Sequence, residues 1–181
     1  MCKGRRESTK KVNPDRVRVA MVGAGGMANT VHYPSLASFA DVEMVAICDL
    51  DSARMNVTAD KYGIDRRYSD YKKMVEETAP DAVYVIGQPH LMYDLWMWCL
   101  GQGLNLYIEK PMGITLHQAR ALAYMAEKNG CITLTSLLSR KEKRSNLWRE
   151  RKGSLLRILS LSATDLRTNG TTMNPYGASK A

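Results

Sequence analysis

Short, almost wholly apolar runs alternate five times with longer segments of helical period, and few architectures accept such a pattern. RVRVAMVG (Arg16 to Gly23), VEMVAICD (Val42 to Asp49), DAVYVIG (Asp81 to Gly87), LNLYIEKP (Leu104 to Pro111) and CITLTS (Cys131 to Ser136) read as strands. Between them the spacing predicts a helix from Gly26 to about Phe39 and another over Asp51 to Tyr62. A short helix follows with Tyr71, Met74, Val75 and Thr78 on its core face, then one carrying the stripe Leu91, Leu95, Trp98 and Cys99 and ending near Gly101 and Gly103. The last is lined by Leu116, Ala119, Ala123 and Ala126 and closed by Asn129-Gly130. Strands without a polar face need cover on both sides, and each strand-helix-strand return lays the next strand parallel. The pattern predicts a doubly wound parallel α/β domain over residues 16–139, between a basic tail (residues 1–15) and a basic helix with a further remnant (residues 140–181).

Charge sharpens that division. The chain carries a net +8, the kind of excess a nucleic-acid binder shows. Residues 1–18 hold seven basic and two acidic side chains, and residues 140–152 again hold seven and two, whereas residues 19–139 hold nine and thirteen. The expected core is therefore mildly acidic. A reader of DNA or RNA carries its basic face on the folded module, so the distribution argues against that class. Lys141, Lys143, Arg144, Arg149, Arg151 and Lys152 read as a solvated helix face. No apolar run reaches the roughly 20 residues of a membrane span, and MCKGRRESTKK lacks a signal's apolar stretch. Cys2, Cys48, Cys99 and Cys131 are far apart, three of them inside apolar segments, as expected of reduced thiols in a cytoplasmic protein.

The turn after the first strand carries chemistry. Gly23-Ala24-Gly25-Gly26-Met27-Ala28 fits G-x-G-x-x-A between a strand and a helix. There the first glycine allows a tight turn, the second lets backbone approach a pyrophosphate, and a small last residue lets helix and strand pack closely. Asp49 ends the second strand 23 residues after Gly26, where a carboxylate accepts hydrogen bonds from adenosine ribose hydroxyls and repels a 2′-phosphate. NAD is favoured, with Arg54 nearby keeping NADP open. In the competing reading the glycines serve turn geometry alone and Asp49 caps the next helix.

Glu109-Lys110-Pro111 closes the fourth strand, where an open parallel sheet presents residues to its ligand crevice. With the glycine turn, VEMVAICD, Asp60-Lys61-Tyr62-Gly63 and the run Pro80 to Ile86, this tripeptide makes residues 16 to 136 resemble the Gfo/Idh/MocA oxidoreductases. The resemblance implies a Rossmann domain in which Lys110 sits beside the nicotinamide and hydrogen-bonds the reacting substrate oxygen, while Glu109 helps place lysine and cofactor. It also implies a cis bond before Pro111 and a cofactor-contacting loop at Gly87-Gln88-Pro89-His90. The bland counterpart is a strand-end ion pair and a turn proline. Where relatives often carry a histidine shortly after that loop, this chain has Tyr93.

Other candidates read as structural. His32, His90 and His117 lack metal-ligand spacing and are expected as solvated or helix-start residues, so no metal is expected. Met92, Trp96, Met97 and Trp98 read as a core-facing helix surface.

Beyond Ser136 the resemblance ends. Relatives continue with a polar segment containing Asn or Gln and Arg, for which only Arg140 matches, and then a sheet-rich substrate domain supplying an aspartate and a histidine. Leu159, Leu161 and Ala163 alternate with Ser160, Ser162 and Thr164 as in one strand, whose partners another copy would supply if the tail is ordered. Tyr176 and Lys180, within MNPYGASKA, resemble the active-site segment of short-chain dehydrogenases, with Ser160 or Ser162 as the matching serine. The chain is thus expected to be a truncated or degenerate oxidoreductase domain that binds NAD(H) and turns over poorly alone. The expected reaction is hydride transfer with a sugar, polyol or related hydroxyl compound. The competing classes are a noncatalytic cofactor-binding or interaction module and a basic nucleic-acid binder.

Overall fold

The computed structural model describes residues 16–135. The expectations for residues 1–15 and 140–181, with Arg140, Ser160, Ser162, Tyr176 and Lys180, lie outside the described residues. Six parallel strands, β1 (Val17–Val22), β2 (Val42–Cys48), β3 (Arg67–Tyr68), β4 (Ala82–Val85), β5 (Asn105–Ile108) and β6 (Thr133–Thr135), form one sheet in the order β3-β2-β1-β4-β5-β6. The expected doubly wound parallel architecture is present. From β1 the chain winds outward to β2 and β3, then crosses back to β4 on the other side, so a crevice opens at the carboxyl ends of β1 and β4.

β3 has no counterpart among the expected strands. It is two residues long, lies at the sheet edge and is held by main chain, with Ile47 N–H on Arg66 O at 3.0 Å and Asp49 N–H on Tyr68 O at 3.2 Å. An edge pairing of this length needs no apolar run, so hydrophobic pattern does not reveal it.

Alternate strand residues feed two cores. Val19, Met21, Tyr84 and Tyr107 face Tyr33 and Leu36 of α1 (Tyr33–Ala37) and Met55 and Ala59 of α2 (Ser52–Tyr62). Ala20, Val22, Val83, Val85, Leu106 and Ile108 face the other way. There they meet Met74 of α3 (Tyr71–Thr78), Leu95 and Trp96 of α4 (Pro89–Gly101) and Leu122 of α5 (Leu116–Lys128). Full burial of side chains this large contributes about 1.5–3 kcal/mol each. Met92, Met97 and Trp98 pack partly against the same core, as expected of that helix face.

Two expected stripes shift. On α5 the buried positions are Leu122 and Ala126, while Leu116 and Ala123 are exposed. Thr115 caps this helix in a reciprocal box with Gln118, so Leu116 falls in the first turn, on the solvent side. Leu91 is likewise exposed in the first turn of α4, beyond the reach of the core that Leu95 and Cys99 enter.

The first helix is not uniform. A π-helical turn, Ala28–His32, runs into α1, and Tyr33 N–H bonds to Ala28 O, five residues back. Pro34, in the first turn of α1, has no N–H to donate to the ladder behind it. Burial pushes the thiols of Cys48 and Cys99 up to about 12, so both are inert core side chains. Among the described residues no helix is long and apolar enough to cross a membrane.

Candidate functional site

The end of β1 shows why the sequence turns at Gly23. Its φ is +103°, its N–H donates to Cys48 O at 2.8 Å, and a Cβ there would collide with the Ile86 carbonyl oxygen. Three strand ends thus meet at one residue that must be glycine. The following positions are different in kind. A Cβ at Gly25 would meet only Arg54 Nη1, at 3.9 Å, and one at Gly26 would meet nothing within 4 Å. That open backbone is the approach a pyrophosphate needs. The carbonyl side is tied down from behind: Asn29 Nδ2 donates to Ala24 O at 2.8 Å and to Gly25 O at 3.2 Å. Met27 is half-exposed beside the turn, and Ala28 is fully buried.

Asp49 follows β2 and aims across the gap at the same turn. Its Oδ2 accepts the Ala24 N–H at 2.6 Å and its Oδ1 accepts the Asp51 N–H at 2.8 Å. The cap of α2 is Asp51, which accepts from Arg54 N–H at 3.0 Å, so Asp49 is free of the capping role the competing reading gave it. Each Asp49 oxygen keeps acceptor capacity for a further donor. Arg54 is engaged with Asp51, Nη2 to Oδ2 at 2.8 Å.

After β4, Gly87 lies under Met92, Gln88 stands at the N-cap of α4 and Pro89 begins the helix, where a missing N–H costs nothing. After β5 come Glu109, buried, and Lys110, exposed, and the Lys110–Pro111 bond is cis, as the resemblance implied.

Glu109 is turned inward, and the strand-end ion pair with Lys110 gives way to another partner. His32 Nε2 lies 2.6 Å from Glu109 Oε1. An ionised carboxylate only accepts, so Nε2–H is the donor. Tyr107 OH donates to the same oxygen at 3.4 Å, and Lys110 N–H donates to Oε2 at 3.1 Å. The expectation of a solvated or helix-start His32 is corrected: the residue is 1% exposed and packs edge-on against Tyr107, with ring centroids 5.0 Å apart. Tyr107 in turn stacks on Tyr84 at 4.6 Å. No local spacing in the sequence marks His32, because its partner Glu109 lies 77 residues away. Burial alone would raise the Glu109 carboxyl, but the His32 hydrogen bond and charge, the Lys110 N–H and the Tyr107 hydroxyl together hold it below the usual carboxylate range.

Tyr33, the neighbour of His32, reaches the other half of the crevice, its hydroxyl donating to Gly23 O at 3.1 Å. One helical joint therefore touches both crossovers. Gly23 to Met27, Asp49, Gly87 to Pro89 and Glu109-Lys110 all gather at the carboxyl edge of four strands, around the switch point. Among the described residues no three His, Cys, Asp or Glu side chains converge to hold a metal ion.

An open parallel sheet with a glycine turn, an acidic second-strand end and open backbone at the switch point defines a dinucleotide-binding domain. The chain belongs to the Gfo/Idh/MocA oxidoreductase family, whose NAD-binding Rossmann fold matches residues 17–137. Among curated relatives, a D-glucoside 3-dehydrogenase of Escherichia coli is 33% identical over 114 residues, covering 63% of this chain and 32% of that protein. An inositol 2-dehydrogenase of Salmonella typhimurium is 27% identical over 116 residues, covering 63% and 34%. The WlbA dehydrogenase of Chromobacterium violaceum, solved with NADH and UDP-GlcNAcA, shares the fold with a TM-score of 0.64 at 24% identity, over 68% of this chain and 36% of that one. The chain spans about a third of the length of the curated relatives it matches.

Proposed function

We propose that this chain binds NAD(H) at the carboxyl edge of its sheet and serves hydride transfer to or from a hydroxyl-bearing carbon of a sugar, polyol or related small molecule. The observation that carries the reading is the meeting of Gly25-Gly26 backbone, Asp49 and Glu109-Lys110 at one switch point. The residues fit the cofactor: the space a Cβ would occupy at Gly25 and Gly26 suits phosphate oxygens, and Asp49 suits ribose hydroxyls. Gly87, Gln88 and Pro89 border the route toward Lys110. When bound, NAD(H) supplies the hydride acceptor or donor. Lys110 then hydrogen-bonds the reacting oxygen, and its ammonium stabilises developing alkoxide or returns the proton to it. Glu109 holds the Lys110 backbone through its N–H.

The substrate class rests on the relatives named for glucoside and inositol oxidation. Asp49 favours NAD over NADP, because its charge opposes a 2′-phosphate. The described residues carry the cofactor-facing part of this reading, so we expect saturable NADH binding. The free cysteines fit a reducing cytoplasm. Sizing the whole chain tests whether it assembles with a second copy. Titration of the chain with NADH, followed by the cofactor's fluorescence, tests the reading. Saturable binding, weaker for NADPH, supports it, and a folded sample without response overturns it.

A further inference from the structure

Glu109 is the carboxylate nearest Lys110 in sequence, and an outward-facing carboxylate there would pair with the ammonium and compete with any substrate oxygen. The structure commits it elsewhere. Oε1 takes His32 Nε2–H and the Tyr107 hydroxyl, and Oε2 takes the Lys110 N–H. Among the described residues the side chain closest to Glu109 Oε1 is His32, at 2.6 Å. Both partners are close to fully buried, 1% and 8% exposed, and the His32 ring is set by Tyr107 and Tyr84 edge-on. No sequence feature assigned His32 a part in the site.

We infer that His32 is a positioning residue: by holding Glu109 Oε1 it keeps this carboxylate turned away from the Lys110 ammonium, so that the amine stays available at the mouth of the crevice. The inference rests on the reading of Lys110 given above and adds the residue that acts on it. Without the Nε2 donor, a buried carboxylate loses its main partner, and the nearest replacement is the exposed cation next to it in the chain.

Two substitutions separate positioning from bulk. His32→Asn keeps a polar side chain but is too short to place a donor where Nε2 stands, whereas His32→Gln extends an amide donor to that place. The full chain is labelled with an amine-acetylating reagent at fixed pH, and acetylation of Lys110 is measured by mass spectrometry relative to Lys61, Lys72, Lys73 and Lys128. A lysine paired with a carboxylate yields less free amine, so His32→Asn is expected to slow Lys110 by at least about threefold, with the reference lysines unchanged. His32→Gln restores the wild-type rate. So does His32→Asn combined with Glu109→Gln, which leaves no carboxylate to swing outward. Wild-type labelling in a folded His32→Asn, or slow labelling in the double variant, overturns the inference. Should His32→Asn unfold, slow labelling in His32→Gln overturns it instead. NADH protection of wild-type Lys110 is read in the same experiment. Loss of that protection removes the proposed function, while an unaltered rate in His32→Asn with protection intact removes only the part of His32.

Discussion

Asp49 Oδ2 lies 2.6 Å from the amide nitrogen of Ala24, so the carboxylate after β2 and the turn after β1 are one hydrogen-bonded unit. In the proposed reading the same carboxylate both shapes the turn that meets the phosphates and receives the ribose hydroxyls. Asp49→Asn keeps an acceptor for the Ala24 N–H and loses the charge, while Asp49→Ala loses both. A charge-assisted hydrogen bond contributes about 1.5–3 kcal/mol, which corresponds to a weakening of NADH binding of roughly 10- to 100-fold in Asp49→Ala. Asp49→Asn is expected to lose less for NADH and to narrow the gap to NADPH. Fluorescence titration with both cofactors measures this, and unchanged affinities in both variants would remove Asp49 from the site.

Gly23 and Gly26 occupy one motif but carry different loads. At Gly23 a side chain faces both a φ of +103° and the Ile86 carbonyl. Gly23→Ala is expected to cost roughly 2 kcal/mol or more of stability, seen as a lower melting temperature without any ligand. Gly26→Ala meets no atom within 4 Å and should melt like the wild type. Its methyl intrudes only where phosphate oxygens would lie, so its defect appears in NADH affinity alone. A Gly26→Ala variant that binds NADH normally would show that the pyrophosphate does not approach there.

Much of this arrangement is written in local pattern, and the rest depends on contacts that pattern does not contain. The apolar runs ending at Gly23, Asp49, Gly87 and Glu109-Lys110 announce parallel strands because burial on both faces leaves no polar alternation. The turn at Gly23 is legible because a glycine spacing reports backbone geometry directly. His32 is not, since its partner Glu109 lies 77 residues away and a lone histidine on a helix has no spacing to interpret. β3 escapes because two edge residues bury little, and the α5 stripe shifts because the cap at Thr115 sets where the first turn faces.

Glu109 adds a pH dependence with a definite sign. Its carboxyl is held below its ordinary range in the folded chain, where the His32, Lys110 and Tyr107 contacts outweigh burial. The stabilisation is therefore complete above the unfolded carboxylate range, about pH 4.3, and is lost as pH falls through the lower folded value. Melting curves between neutral and acidic pH should show a steeper acid loss in the wild type than in Glu109→Gln, which has no such proton to take up. Parallel curves would mean that Glu109 does not gain from its buried partners.

Tyr33 makes the last link between the helix joint and the cofactor turn. Its ring is fully buried and stacked on Tyr62 at 5.2 Å, and its hydroxyl donates to Gly23 O at 3.1 Å. Burial, helped by the Asp49 charge, pushes this phenol far above its ordinary range, so it is a neutral donor at neutral pH. Tyr33→Phe keeps the stacking and removes one hydrogen bond, leaving the Gly23 carbonyl one donor short. The expected cost is about 1 kcal/mol in stability. Because Gly23 N–H is still fixed by Cys48 O, the turn should loosen rather than collapse. NADH affinity is then expected to fall by no more than about fivefold, well short of the loss in Asp49→Ala. Thermal melts and titration of the same sample test both numbers. A Tyr33→Phe variant as impaired in binding as Asp49→Ala would show that the phenol, and not only the turn it supports, meets the ligand.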